Sequence, residues 1–469
     1  MLRRLLDSPW TYFVLAGVLL MVAVLSQVQI RIPSRPEGSV EDVARLRERD
    51  DLNVIFILID TLRADRLGAY GYRRPTTPIM DDLASRGIRF AHAEAQSSWT
   101  KCSMASLWSG VYPPRTGITR FNDAVPEKAL LPAEILRAAG FRTGGIWRNG
   151  WVAPNFGFQQ GFETYIRPQA QRLPERVQPR PGATLEGSDE DVTYSAIEFL
   201  KAHGHERFFL YLHYMDVHQY VYDGSAAELA FGTSYSDHYD SAIHWVDRNV
   251  GELMLALEDS GLFKKTIVVI GSDHGEAFYE HGFEGHARNL YREVTEVPLI
   301  FALPFRLEKE LVVEPLVRNV DVWPTLLDML GLPPLEDADG RSLLPLVEAA
   351  ARGEPDPDGE RTSISFLERS WGWPQQRERM PIVAYHKDGK RLIFHGFAQK
   401  QIELFDHEAD PREQRDLAKS APEEVVAEMK TAVEAHLGRP EIWGAAPQVE
   451  VDDMYKAQLR ALGYALDGK

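Results

Sequence analysis

The chain is almost without cysteine: Cys102 is the single one in 469 residues. No disulfide can form within it, and this leaves the compartment open, because many exported proteins of bacterial type lack disulfides. An excess of basic charge is also missing. Lysine and arginine number 52 against 69 aspartates and glutamates, a net charge of −17. Such a chain has no general basic face for a phosphate backbone, which excludes nucleic acid as a general partner. Internal repeats are absent. Long apolar runs are scarce: one stretch, residues 10–30, is free of charge and about long enough to span a bilayer.

Arg3 and Arg4 precede that run, and Arg31 and Arg35 follow it. The flanks are nearly balanced, so the positive-inside rule orients it weakly. No small-x-small cleavage site follows, so the run reads as an uncleaved anchor in preference to a cleaved signal peptide. Either reading sends the remaining chain across the membrane, to a periplasmic or extracellular location. The expected order is a single transmembrane helix within residues 1–30, a polar tether over 31–51, a main domain over 52–350 and a C-terminal subdomain over 351–469. A hydrophobic share of 44 % supplies a large core.

Residues 53–59 (NVIFILI) form a continuous apolar run, as in a strand buried on both faces of a parallel sheet. Further strand patterns fall at 144–147, 208–213, 266–271 and 297–303. Helical patterns fall at 77–87, 131–139, from Ser188 with Asp191 in capping-box position, and at 236–257. Strands alternating with helices predict an α/β fold with a mostly parallel, helix-covered sheet. Asp240 and Asp247 on the long helix read as surface or helix–loop pairs. Residues 167–188 read as a solvated insertion. The aromatic stretch 370–374 reads as core packing.

Several strand ends carry acid–base or metal-type residues. Asp60 follows the first strand, Met215-Asp216-Val217-His218 the third, and Asp273-His274 the fourth; open α/β sheets place their ligands at such carboxyl ends. Ahead of them stands 97–110 (SSWTKCSMASLWSG), where Thr100 meets the start of a helix. A hydroxyl there faces unpaired backbone N–H groups and the positive end of the dipole, which favour an anionic nucleophile or a bound phosphate or sulfate. An isolated Thr in that position is an N-cap; its company makes it more. Asp60, Asp273, His274 and the Thr100 hydroxyl make a site for one divalent metal ion (Mn²⁺, Zn²⁺, Mg²⁺ or Ca²⁺), the imidazole favouring Mn²⁺ or Zn²⁺. A metal-bound Thr100 has a lowered pKa and becomes a nucleophile. His281 and His286 lie in a Gly-rich polar stretch unsuited to core packing, where one of them can bind a substrate anion or donate a proton. Arg148 and Asn149 emerge from a short strand; with His281 they are candidate substrate-binding residues.

The sequence resembles the sulfatase branch of the alkaline phosphatase superfamily over nearly all of the chain after residue 30. The matching segments occur in order: NVIFILIDTLRADRLGAYGY, SSWTKCSMASLWSGVYPPRTGI, FLYLHYMDVH, GSDHGEAFYEHGFEGH with REVTEVPLIF, NVDVWPTLLDMLGLP, ELFDHEADPREQRDLA and LRALGY. The resemblance implies an alkaline-phosphatase-like α/β/α sandwich with a smaller C-terminal α+β subdomain. It implies that Asp60, Asp273 and His274 hold the metal and that Thr100 is the nucleophile. His218 and His286 would contact the transferred group or the leaving oxygen.

The departures are informative. Sulfatases carry Cys or Ser, converted to formylglycine, followed by Pro or Ala two residues on and Arg four residues on; here Thr100, Cys102 and Met104 stand at those positions. No formylglycine is expected from Thr. The paired aspartates of the first metal loop are Asp60-Thr61, and no Lys-x-x-His element is evident near Trp147-Arg148-Asn149. Thr nucleophiles occur in relatives that transfer phosphoglycerol or phosphoethanolamine. The favoured expectation is therefore a membrane-anchored, metal-dependent phosphodiesterase or phosphoryl transferase acting on a lipid headgroup or glycan. The alternatives are a sulfuric ester hydrolase, and a pseudoenzyme that binds a sugar or lipid headgroup.

Overall fold

The protein is described by a computed structural model. It covers residues 35–169, 187–220, 231–373, 376, 378–397 and 401–451, with positions 10, 12, 13, 16 and 17 near the start. Met1–Ser34 forms one compact unit and Arg35–Lys469 another.

The expected single-pass membrane protein, with its catalytic domain held outside by an N-terminal helix, does not stand. Among the described residues no helix is long and apolar enough to cross a membrane. Most of the 10–30 run lies outside the described residues, as does most of the expected insertion at 167–188.

The larger unit is built on an eight-stranded sheet. In chain order its strands are β1 (Asn53–Ile59), β2 (Ile88–Phe90), β4 (Arg142–Ile146), β5 (Thr164–Ile166), β6 (Phe208–Tyr214), β7 (Thr266–Gly271), β9 (Leu299–Ala302) and β10 (Leu311–Val313). Three short strands lie beside it: β3 (Ala93–Glu94) pairs with both β8 (Glu296–Val297) and β11 (Val317–Arg318). The spatial order is β10-β2-β9-β7-β1-β6-β4-β5. The run from β7 through β5 is parallel. The pattern at 297–303 proves to be a reversal: β9 runs antiparallel to both β7 and β2. The sheet is therefore mostly parallel, as expected, with one antiparallel strand inside it.

The central strand shows why both faces must be covered. All seven residues of β1 are buried. Because side chains alternate, Val54, Phe56 and Leu58 join one core while Ile55, Ile57 and Ile59 join the other. The second core is closed by α1 (Pro78–Ser85), α4 (Asp189–His203) and α5 (Tyr235–Asp259) through Met80, Leu83, Val192, Ile243 and Val250. The first is closed by α2 (Thr100–Ser109) and α6 (Val322–Met329); α3 (Pro132–Ala138) packs there too. Trp108 of α2 stacks on Trp323 of α6 at 5.0 Å, and Phe56 of β1 meets both rings edge-on.

A second, antiparallel sheet of four strands follows: β12 (Thr362–Glu368), β13 (Pro381–Lys387), β14 (Lys390–His395) and β15 (Ile402–Asp406), with α7 (Glu423–Leu437) against it. Trp371 beyond β12 is core, as its surroundings predicted: it stacks on Trp99 at 4.5 Å.

On the long helix α5, Asp240 and Asp247 are buried, so the surface alternative fails for both, while Asp240 makes the helix–loop pairing. Asp240 accepts from Arg66, Arg74 and Tyr72. Asp247 accepts the backbone N–H groups of Ile79 and Met80, both at 2.9 Å, and so caps α1 from a neighbouring helix. Single-sequence periodicity cannot register this, since the polar partner lies on another element.

Candidate active site

The site lies where β1, β6 and β7 end. Val54, Phe56 and Leu58 turn toward α2, and Asp60 continues their parity just past the strand. Its N–H donates to Tyr214 O at 3.0 Å, which locks the end of β1 to the end of β6. Thr61 then takes a left-handed conformation with φ 61°, a costly setting for a β-branched residue. Three bonds hold it: Thr61 N–H to Asp273 Oδ1 at 3.3 Å, Thr61 Oγ1 to Asp60 O at 2.6 Å, and Tyr239 OH to Thr61 O at 2.6 Å. The reversal brings the two metal-type loops side by side.

The β7 loop is fixed from several directions. Ser272 Oγ accepts from Leu62 N–H and donates to His274 O. Asn319 Nδ2 donates to Ser272 O, and Ser103 Oγ of α2 donates to Asp273 O at 2.6 Å. Helix α2 is buried on every side. Trp99 precedes it in an extended conformation without a side-chain cap, and Gly110 ends it with φ 69°.

Asp60, Asp273, His274 and Thr100 meet in this frame, all fully buried. His274 Nδ1 faces Gly275 O at 3.0 Å, so Nδ1 carries the proton and Nε2 presents its lone pair. Nε2 lies 3.3 Å from Asp273 Oδ2, 3.9 Å from Asp60 Oδ1 and 3.1 Å from Thr100 Oγ1. One ligand atom each from Asp60, Asp273 and His274 falls within 4.8 Å of the others. Asp60 Oδ1 and Asp273 Oδ2 are buried without a hydrogen-bond partner among the described residues. Two buried, unsatisfied carboxylate oxygens beside an imidazole lone pair are costly without a cation. The donor set therefore fits a divalent ion, and two oxygens with one nitrogen suit Mn²⁺ or Zn²⁺.

The titration pattern follows from this crowding. Burial opposes the charge on Asp60, but His213, with which it hydrogen-bonds, and the other imidazoles hold its pKa low. Burial, and the charge of Asp60, push Asp273 up to about 6. For His274 burial works downward, yet Asp273 and Asp60 outweigh it and raise its pKa.

His218 and His286 are brought to the same place. Their rings lie 4.9 Å apart, and His286 is 4.5 Å from His274. Burial lowers His218 to about 4 and takes His286 well below its ordinary value. Asn149 joins the site: its Nδ2 donates to Asp60 Oδ2 at 2.6 Å and lies 3.4 Å from Thr100 Oγ1. The other two candidates for substrate binding are committed elsewhere. Arg148 is gripped by Asp189 and Asp216 and donates to Gln219 at 2.9 Å. His281 meets Glu293 and Glu413 O, each at 2.8 Å, and stacks on Tyr291 at 3.8 Å.

Two residues escaped the sequence reading. His213 Nε2 bonds Asp60 Oδ2 at 3.0 Å, and its Nδ1 is met by Tyr211 OH at 2.7 Å. An imidazole inside the apolar run FFLYLHY was the available signal. Glu276 Oε2 meets His286 Nδ1 at 3.0 Å, and burial pushes its carboxyl up to about 7. The positions that depart from the sulfatase pattern point away from chemistry. Burial pushes the Cys102 thiol up to about 12, and Met104 is core. Lys101 donates to Phe121 O, and to Asp123 O at 2.8 Å, from among the rings of Trp99, Trp151 and Phe156.

A helix N-terminus, a carboxylate–imidazole cluster and a hydroxyl at the carboxyl edge of a parallel sheet define an ester-hydrolase architecture. The chain belongs to the sulfatase family, whose model, described as Sulfatase, matches residues 52–332. A second model, N-sulphoglucosamine sulphohydrolase, C-terminal, matches residues 279–437. The chain is similar to N-acetylgalactosamine-6-O-sulfatase of Bacteroides thetaiotaomicron, 24 % identical over 82 % of this chain and 92 % of that protein. Among solved structures, a 2-O GAG sulfatase superposes with a TM-score of 0.67 at 20 % identity, over 82 % of this chain and 92 % of that one. The phosphonate monoester hydrolase of Agrobacterium radiobacter superposes at 0.64 with 18 % identity, over 82 % of this chain and 96 % of that one. The expected kinship with phosphoglycerol and phosphoethanolamine transferases is not supported; the matching families are sulfatase families. The chain is a sulfatase-like hydrolase.

Proposed function

We propose that this protein hydrolyses a sulfate ester on a sugar, using the Thr100 hydroxyl in place of a formylglycine. The observation that carries the reading is Thr100 Oγ1 in the first turn of α2, 3.1 Å from His274 Nε2, beside Asp60 Oδ1 and Asp273 Oδ2, which have no hydrogen-bond partner among the described residues. The sulfated-sugar relatives support the ester class. Asp60, Asp273 and His274 would hold one divalent ion, which supplies positive charge for the sulfuryl oxygens and lowers the hydroxyl pKa. Asn149 steadies Asp60 and faces Thr100. Thr100 Oγ1 attacks sulfur, forming an O–S bond as the S–O bond to the sugar breaks. His218 and His286, the latter backed by Glu276, carry the hydroxyl proton to the departing sugar oxygen. Water then attacks the same sulfur, releasing hydrogen sulfate and restoring Thr100.

The test uses the full chain loaded with Mn²⁺, Zn²⁺, Mg²⁺ or Ca²⁺ in turn. Substrates are sulfated N-acetylgalactosamine, a 2-sulfated uronate disaccharide, nitrophenyl sulfate and a nitrophenyl phosphodiester. Sulfate release that falls by roughly 10²–10³-fold or more in Thr100→Ala is expected. An unimpaired Thr100→Ala enzyme overturns the role of Thr100. Diester turnover without sulfate release replaces this reading with phosphoryl transfer, and absence of both turnover and metal binding replaces it with a binding domain.

A further inference from the structure

A second set of metal-type donors lies outside the active site. His92 sits between β2 and β3, Glu296 begins β8, and His407 directly follows β15. Pairing of β3 with β8 sets Glu94 opposite Glu296 and draws His92 alongside. One ligand atom from each of His92, Glu296 and His407 falls within 4.8 Å of the others. The His92 and His407 rings stand 5.8 Å apart at 81°. All three residues are half-buried, which leaves an ion a route from solvent.

His407 is the telling member. Both of its ring nitrogens are buried, and neither has a hydrogen-bond partner among the described residues. A neutral imidazole has one donor and one acceptor, and burying both unmet is costly. The neighbouring polar groups are otherwise occupied. Glu296 faces His92 Nδ1 at 3.3 Å through Oε1 and is held by Arg292 through Nε and Nη2. His386, whose ring lies 4.8 Å from that of His407, is bonded to Glu94 at 2.6 Å. Arg292 holds the carboxylate in place, and a carboxylate oxygen has lone pairs for more than one partner.

We propose that His92, Glu296 and His407 bind a divalent transition metal ion of the Zn²⁺ class, separate from the active-site cluster. Two imidazoles and a carboxylate, with a fourth position open to water, suit Zn²⁺ over Mg²⁺ or Ca²⁺, which take oxygen ligands. Zinc bond lengths of about 2.0–2.2 Å set donors roughly 3.5 Å apart, close to the 3.3 Å between His92 Nδ1 and Glu296 Oε1. The ion links the end of β15 to the β3–β8 pair and so staples the C-terminal sheet to the main body.

The experiment is equilibrium dialysis of the chelator-stripped full chain against Zn²⁺ and against Co²⁺, read by elemental analysis and by thermal unfolding. Variants are His407→Ala, His92→Gln, and Asp273→Asn to disable the active-site cluster. Wild type should bind one Zn²⁺ beyond that of the active-site cluster; both histidine variants should lose it or hold it at least about tenfold more weakly, and Asp273→Asn should retain it. Zinc should raise the Tm of Asp273→Asn, whose active-site cluster is disabled, and should raise that of His407→Ala by less than that of wild type. Circular dichroism establishes that the variants fold, and His92→Gln, at a half-exposed position, guards against a misfolded His407→Ala. Equal stoichiometry and affinity in wild type and both histidine variants overturns the proposal, as does the absence of any bound Zn²⁺ in Asp273→Asn.

Discussion

Asp247 offers a stringent test of the packing between α5 and α1. Its carboxylate sits fully buried between α5 and the first turn of α1, accepting two N–H bonds of 2.9 Å from Ile79 and Met80. Burial pushes its pKa up, the two N–H bonds pull it down, and burial prevails at about 7, against an ordinary value of 3.8. The folded state thus binds this proton more tightly than the unfolded chain, so stability falls as pH rises from about 4 to 7 and levels off above. A tenfold difference in proton affinity is worth about 1.4 kcal/mol, so the whole span is about 4 kcal/mol, and the part between pH 5 and 8 is about 2.5 kcal/mol. Asp247→Asn keeps an acceptor for the two N–H groups and cannot ionise. Urea or thermal unfolding of wild type and Asp247→Asn at pH 5 and 8 reads the difference directly. The variant should gain on wild type by about 2.5 kcal/mol across that interval. Asp247→Ala leaves both N–H groups without their acceptor and should be destabilised by roughly 2–4 kcal/mol at pH 5. Parallel pH profiles for wild type and Asp247→Asn would refute the reasoning.

Two further outcomes follow from the same structure. Cys102→Ala should retain wild-type turnover, and the native thiol should resist iodoacetamide until the protein unfolds, because burial holds it protonated with a pKa of about 12; rapid labelling of the folded enzyme contradicts this. Trp371→Ala removes the ring stacked on Trp99, the residue before Thr100, and should cost about 3–5 kcal/mol, read as a lowered Tm, and should slow turnover by loosening the start of α2.

The chemistry of the site was visible in the sequence because its residues fall at strand ends. A buried apolar run such as NVIFILI announces a parallel strand, and the polar residue that breaks it marks the sheet edge where ligands bind. Asp60, Asp273 and His274 are legible in that way and Thr100 as a hydroxyl at the start of a helix, and the structure brings them together. His213 was not, since a histidine within a strand is indistinguishable from a satisfied core residue until its partner Asp60 is known. Arg148 and His281 are candidates by sequence because they are polar and near the motifs. Only the fold shows that Asp189 and Asp216 occupy the one, while Glu293 and Glu413 occupy the other.

Local pattern alone determined the α/β class, the principal strands and helices, and the order of the sulfatase motifs, because each depends on residues close in sequence. Tertiary structure decided what depends on distant partners. It turned β9 antiparallel, buried Asp240 and Asp247 against other elements, and set His407 beside His92, 315 positions earlier in the chain. Side-chain periodicity records which face a residue occupies, and says nothing of which other segment that face will meet.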